Sequence, residues 1–313
     1  MKISFYKFSL YSALFVLSSL MACGEIMAQR LDEASLSTTR IVLLKSGKPQ
    51  ALGTGFYYRR NEGSGKVIVF LLTNHHVLTG HEPGSHMPPL GDEIMFYCHE
   101  SIDKPERVVE ERMHIYTKNG RPMWLTSLTA PDADIAVLPL MAGIGKRCKI
   151  VCLSPETNSA APMPLLRPSS PVTLVGYPYG FFDQQNHLPV WKTGAIASEP
   201  EFDFGGRPVI LVDVSAFPGM SGSPVYAVTT GAYEISEGVV TTGRTRSFVG
   251  IFSAMRTIEE TKLVENIQSA GQLAVRIRQS LELGYVWKER LIREIVQAFD
   301  AERYQREILQ RLK

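Results

Sequence analysis

The segment FPGMSGSPVY flanks Ser221 with Gly219 and Gly222 at the mouth of an apolar run. A serine hydroxyl is a poor nucleophile, so an enzyme that uses one needs a base within hydrogen-bond reach and a donor pair for the oxyanion that forms. Glycines beside the serine serve the second need, because a backbone without Cβ atoms turns tightly and comes close to a substrate carbonyl. The amides of Gly219 and Ser221 are the candidate donors. By itself the segment is equally a β-turn, since Gly, Ser and Pro are ordinary turn residues. Two further stretches carry the rest of the chemistry: VIVFLLTNHHVLTG ends an apolar run in His75 and His76, and DADIAVLPL opens another behind Asp132 and Asp134.

The elements that must hold these residues are strands. From Arg40 onward short runs such as RIVLL, KVIVFLL, EIMFYC, VTLVGY, PVILVDV and FVGIFSA alternate with Gly, Pro, Asn and Ser. Runs of this length, rich in Val, Ile, Phe and Tyr and bounded by turn residues, predict an all-β sandwich or barrel architecture. Between Met141 and Pro171 the texture changes to Pro, Ser and Ala, which predicts a connection between two β-halves. Near the end, Leu291, Ile292, Ile295, Val296 and Phe299 recur every three to four positions, one face of a helix that Tyr304, Ile308 and Leu312 continue. Arg256 to Ser280 shows no clear strand and reads as a partly helical insertion. There is no internal repeat.

Taken together these residues resemble the chymotrypsin-like (trypsin-like) serine proteases, and more closely their bacterial Deg-type branch. TNHHV puts His76 in the family's histidine position, DIAV selects Asp134 over Asp132, and GMSGSP puts Ser221 in the nucleophile position, in the family's order. GTGFYY ahead of the histidine strand, Asp213 before the serine and VGIFSA after it extend the resemblance across Leu52 to Val296. It implies two six-stranded antiparallel β-barrels: 35–140 and 171–288, joined by 141–170 and followed by a C-terminal helix at 289–313. It also implies a catalytic triad of His76, Asp134 and Ser221, with an oxyanion hole from the Gly219 and Ser221 amides. Ser215 and Ala216 on one side, and Ser253, Ala254 and Met255 on the other, would line the pocket for the residue before the scissile bond. None of these is charged, so the expected preference there is apolar. The PDZ domains common in the Deg-type branch are not expected here.

Met220 departs from the pattern: that position is commonly Asp or Asn, and a thioether cannot pair with a buried amino terminus. TTRIVLL is therefore not read as a zymogen cleavage site. The implied function is an exported serine endopeptidase acting on polypeptides through an acyl-enzyme intermediate. The alternatives are a catalytically silent protease-like domain that binds proteins in the same cleft, and an esterase using the same triad. The Gly-x-Ser-x-Gly elbow of α/β-hydrolases does not surround Ser221.

Bulk properties narrow the field further. The chain has 313 residues, with 33 basic and 31 acidic side chains and a formal charge of +2, which excludes the long-range positive field that nucleic-acid binding needs. Lys2 and Lys7 precede an apolar run that reaches Met21, the pattern of a secretory signal over residues 1–28 ending at Ala28. LMAC at Leu20 to Cys23 is the alternative, a lipoprotein signal, and membrane attachment is expected only if Cys23 is lipidated. The expected location is periplasmic or extracellular. Cys98, Cys148 and Cys152 then remain, enough for one disulfide whose pairing stays open. Cys148 and Cys152 lack a second ligand pair, so no metal is expected, and nothing calls for an organic cofactor.

Overall fold

A computed structural model describes residues 31–140, 147–154, 162–265 and 272–312, with side chains described outside 256–279 and 308–312. The signal expected over 1–28 lies outside the described residues. A single turn, α1 (Glu33–Ser37), leads into β1 (Thr38–Lys45), β2 (Lys48–Asn61) and β3 (Val67–Thr73). One helical turn, α2 (His75–Thr79), then precedes β4 (Glu93–His99), β5 (Val108–His114) and β6 (Ala136–Pro139). These six strands pair antiparallel in the order β5-β4-β1-β2-β3-β6. The second half comprises β7 (Pro171–Gly176), β8 (Val190–Ile196), β9 (Val209–Asp213), β10 (Pro224–Ser236), β11 (Val239–Glu265) and β12 (Gln272–Lys288). Here β9 pairs with both β8 and β12, and the six strands close into a barrel. The protein is therefore all-β with two six-stranded antiparallel halves. The second is a closed barrel, while β5 and β6 are the edges of the first sheet.

Strand alternation explains how the halves meet. On β2, Phe56 and Tyr58 face one side and Tyr57 the other; on β3, Phe70 and Leu72 oppose Leu71 in the same way. The first set joins Tyr226, Phe248, Ile251 and Trp287 of the second half in one buried cluster. The second set packs with Ile41, Ile94 and Phe96 inside the first half. A third cluster, with Leu174, Val212, Val225 and Phe252, fills the closed barrel. The seam between the halves is thus core, and side chains contributed by the two halves to one site across it are held at fixed positions.

Two expectations change. Residues 256–265 and 272–280 are not partly helical: they are strand, and β11 and β12 pair antiparallel from Gly250↔Lys288 out to Glu265↔Gln272, while 266–271 lie outside the described residues. Charged residues interrupt the apolar pattern there, but the stretch is rich in β-branched Thr, Ile and Val, and the register sets Glu259 opposite Arg278. The C-terminal helix is two helices, α3 (Glu289–Ala298) and α4 (Ala301–Leu312). Phe299 is extended, with φ −69° and ψ 125°, and the Asp300 carboxylate accepts from the Arg303 amide at 2.9 Å, so Asp300 caps a new start. The Arg60 guanidinium, from β2, donates to the carbonyls of Val296, Gln297 and Phe299 and closes the end of α3. Phe299 itself packs edge-on against Phe70 at 5.3 Å, which fixes the elbow to the seam.

Within 141–170, Leu153 runs beside β2, donating to the Tyr57 carbonyl at 2.9 Å and accepting from the Arg59 amide at 2.8 Å. Cys98 of β4 is bonded to Cys148, with Cα atoms 5.8 Å apart. Cys152 is free, and burial pushes its thiol up to about 11, so it is protonated at neutral pH and unreactive.

Candidate active site

The histidine strand β3 delivers its payload through a turn. Asn74 is extended, α2 follows for one turn, and Gly80 ends it in the left-handed region, its amide donating to the His76 carbonyl at 2.7 Å. This turn sends the two histidines in different directions. The His75 ring lies among Thr79, the His81 carbonyl and Trp124, with ring centroids 5.8 Å apart, and so faces away from the carboxylate. His76 meets Asp134: its Nδ1 donates to Asp134 Oδ2 at 2.6 Å and its backbone amide to Oδ1 at 3.0 Å. Asp132 is exposed and pairs instead with Arg207 at 3.5 Å.

Asp134 is buried, with 3% of its side chain exposed, and both oxygens are committed. Oδ2 accepts a second hydrogen bond from the Ser253 hydroxyl at 2.5 Å. Burial by itself would favour the protonated acid, but the His76 hydrogen bond and charge, then Ser253 and the His76 amide, hold its carboxyl below the ordinary value. Burial would likewise lower His76; the Asp134 hydrogen bond and charge, with a smaller contribution from Glu82, outweigh it and hold the imidazole above the ordinary histidine value. Proton donation from Nδ1 leaves Nε2 as the ring's basic nitrogen, and Nε2 has no partner among the described residues.

The nucleophile candidate arrives from the other half. Gly219 and Gly222 sit at φ 94° and 88°, the left-handed region that favours glycine. A Cβ at Gly222 would collide with the Thr54 carbonyl, and one at Gly219 with that of Tyr177. Between them Ser221 donates its hydroxyl to the Ser253 carbonyl at 2.7 Å, not to His76. The structure thus joins the four residues in a chain: Ser221 to the Ser253 carbonyl, the Ser253 hydroxyl to Asp134, and Asp134 to His76. The amides of Gly219 and Ser221 have no hydrogen-bond acceptor among the described residues, whereas the amides of Met220, Gly222 and Ser223 are bonded to Phe217, Phe252 and Met220. Met220 is fully buried in the barrel core, where its thioether fills space rather than seeking a charge partner.

Of the residues expected in the acyl-side pocket, Ser215 is exposed and Ala216 belongs to the barrel core. Ala254 and Met255 are half-buried, and Met255 packs against that same core. Ser253 is buried and turns its hydroxyl to Asp134. Sequence reasoning missed Thr54 altogether as a site residue. Its amide donates to the Ser221 carbonyl at 2.8 Å, its hydroxyl donates to the Gly219 carbonyl at 2.7 Å and accepts from the Tyr177 amide at 3.1 Å. The signal was present: a small polar residue between two glycines in GTGF, where a Cβ at Gly53 or Gly55 would strike neighbouring side chains.

The acid-base pair makes a direct prediction. In NMR titration of the intact protein, the His76 ring is expected to titrate above the ordinary histidine range, so the neutral form dominates only above that raised value. Replacing Asp134 with Asn is expected to move the midpoint down, because the charge and the acceptor that raise it are lost while the burial remains. A His76 midpoint at or below the ordinary value in the unsubstituted protein contradicts the pairing.

Comparison with known proteins places this geometry in context. The family model described as a trypsin-like peptidase domain matches residues 53–232, more than half of the chain and the stretch that contains His76, Asp134 and Ser221. Three solved structures are similar at low identity. A serine endoprotease from Yersinia pestis is 15% identical with a TM-score of 0.39, over 85% of this chain and 66% of that longer one. A protease from M. tuberculosis H37Rv, in an inactive form, is 16% identical with a TM-score of 0.39, over 88% of this chain and 91% of that one. A thermostable serine protease from an extremophilic microorganism is 12% identical with a TM-score of 0.43, over 85% of this chain and 98% of that one. A search of curated proteins found no match. On the extent of the domain match, this chain belongs to the trypsin-like peptidase family and is a serine endopeptidase that acts on polypeptides.

Proposed function

We propose that peptide-bond hydrolysis runs through Ser221, His76 and Asp134 and a covalent acyl-enzyme. The observation that carries this reading is the 2.6 Å hydrogen bond from His76 Nδ1 to a buried carboxylate, which leaves Nε2 as the base. Ser221 Oγ attacks the substrate carbonyl carbon while its proton passes to His76 Nε2. The oxyanion is received by the Gly219 and Ser221 amides, which are free to donate. His76 then returns the proton to the leaving amine, and the C–N bond breaks. A water then gives its proton to His76 and attacks the ester carbon; the bond to Ser221 Oγ breaks, the acid is released and His76 returns the proton to Oγ. Asp134 keeps the proton on Nδ1 and stabilises the imidazolium.

One rearrangement is required: the Ser221 hydroxyl must turn from the Ser253 carbonyl to His76. That is a rotation about a single side-chain bond, of the kind that apo sites make when substrate enters. The same observation favours a second reading, in which Ser221 stays with Ser253 and the domain binds polypeptides without cutting them. Export remains part of the proposal; the charged start, the apolar run to Met21 and the Cys98–Cys148 bond support it. Expression in a bacterial host should give a mature chain, in the envelope or medium, whose N-terminal mass shows removal of the leader. An intact Met1 in that fraction would contradict export by signal cleavage.

A fluorophosphonate probe with a peptide library separates cutting from binding. The unsubstituted protein is expected to take one adduct, on Ser221, and to cut mainly after apolar residues. Ser221→Ala is expected to lose the adduct and about a million-fold in turnover. Absence of labelling in the unsubstituted, folded protein would favour the silent reading.

A further inference from the structure

The strand that carries Ser253 runs on beyond the barrel. β11 pairs with β10 on one side only as far as Ile251, and with β12 on the other as far as Glu265. β9, which covers the outer side of β12, ends at the pair Asp213↔Leu283. From Thr257↔Ser280 to Glu265↔Gln272, β11 and β12 are therefore a two-stranded ribbon with no third strand among the described residues. Such a ribbon is at best marginal in water, because a row of N–H and C=O groups stays unpaired along each outer edge. RTIEETKLVE, residues 256–265, contains no proline, so every position there keeps its donor as well as its acceptor.

The outer edge of β11 leads to the candidate nucleophile. Among the described residues, the last main-chain bonds on its β10 side are those of Phe252. The Phe252 amide donates to the Ser223 carbonyl at 2.9 Å, and its carbonyl accepts from the Gly222 amide at 2.8 Å. Next along the strand, the Ser253 carbonyl accepts from the Ser221 hydroxyl at 2.7 Å. Irregular pairing between Phe252 and Thr257 marks where β11 leaves the barrel. The same edge thus runs from the residues around Ser221 out to Glu265, and 256–265 supply about 33 Å of it at about 3.3 Å per residue.

An open edge of this kind is a template for an extended chain, and its position says which chain. This family cuts polypeptides, and one that lies across Ser221 meets the inner end of the edge at Ser253. We infer that an extended stretch of the polypeptide substrate pairs with 256–265 as a third strand of the ribbon and is held well beyond the bond at Ser221. The inference rests on Ser221 being the nucleophile. Pairing uses main-chain groups, so it selects length and an extended backbone rather than a particular sequence. Only every second amide of the added strand faces the edge. The demand is the same whichever half of the substrate lies on the ribbon.

The test measures binding by fluorescence anisotropy to full-length mature Ser221→Ala, which leaves the peptides uncut. One peptide has six residues; the other holds the same six in the middle, with three Thr-Val repeats on each side. The long peptide is expected to bind about tenfold more tightly or better, the equivalent of one or two net hydrogen bonds. Long peptides N-methylated at alternate flanking residues, in the two possible phases, should differ: one phase loses the gain and the other keeps it. Replacing 258–279 with Asn-Gly, a two-residue turn between Thr257 and Ser280, should also remove the gain. Equal affinity for the short and long peptides overturns the inference, as does a gain that survives both N-methylated phases or the shortened ribbon. If a second copy fills the edge instead, light scattering gives a dimer and both peptides bind alike, which overturns it too. Fluorophosphonate labelling of the unsubstituted protein separates the two levels. Equal affinity with Ser221 labelled removes the edge alone; a gain in length without labelling upholds pairing at the edge while the cut at Ser221 fails.

Discussion

Four hydrogen bonds converge on the main chain and hydroxyl of Thr54, and the arrangement of the site depends on them. From β2 in the first half, its amide and hydroxyl hold the carbonyls of Ser221 and Gly219 in the second half, and its hydroxyl also receives the Tyr177 amide. Its own carbonyl accepts from the Thr73 hydroxyl at 2.7 Å, and Thr73 ends the strand that turns into His76. Thr54 is fully buried, so each of these bonds replaces water that cannot return. A made bond contributes about 1 kcal/mol, but a buried group left without a partner costs about 1–3 kcal/mol. That asymmetry keeps the glycine turn and the histidine segment in register across the seam.

The same economy governs the charges. Asp134 could not remain ionised in a buried place with one partner; it has the His76 ring, the His76 amide and the Ser253 hydroxyl. Ser253 therefore has two jobs. Its hydroxyl steadies the carboxylate, and its carbonyl holds the Ser221 hydroxyl at rest. The Ser221 hydroxyl is thus already bonded, and the imidazole is already oriented by its carboxylate.

Much of this could be read from residues alone, for identifiable reasons. His76, Asp134 and Ser221 stand in short motifs whose neighbours are constrained by backbone geometry, as at Gly219 and Gly222, so type and order carry information. Strand alternation made the two β-halves legible in the same way. Thr54 was not legible as a clamp because its role depends on a partner 165 residues away, and its motif records only that small residues fit there. Ser253 was expected to line a pocket; which way a strand residue points follows from register, and β11 has irregularities between Phe252 and Met255. The strand pairing of 256–265 with 272–280 was hidden by charges that broke the apolar pattern. The elbow at Phe299 was hidden because the long-range cap from Arg60 lies far away in the chain.

The most direct measurement is the second-order rate of fluorophosphonate labelling at Ser221 in Thr54→Val, compared with the unsubstituted protein at equal folded fraction. Valine keeps the shape and the amide bond to Ser221 but removes the hydroxyl that holds Gly219 and receives Tyr177. Labelling is predicted to slow by at least about ten- to a hundredfold, the rate equivalent of even one of these two buried polar groups, the Gly219 carbonyl and the Tyr177 amide, losing its partner. An unchanged rate would contradict the central role given to Thr54.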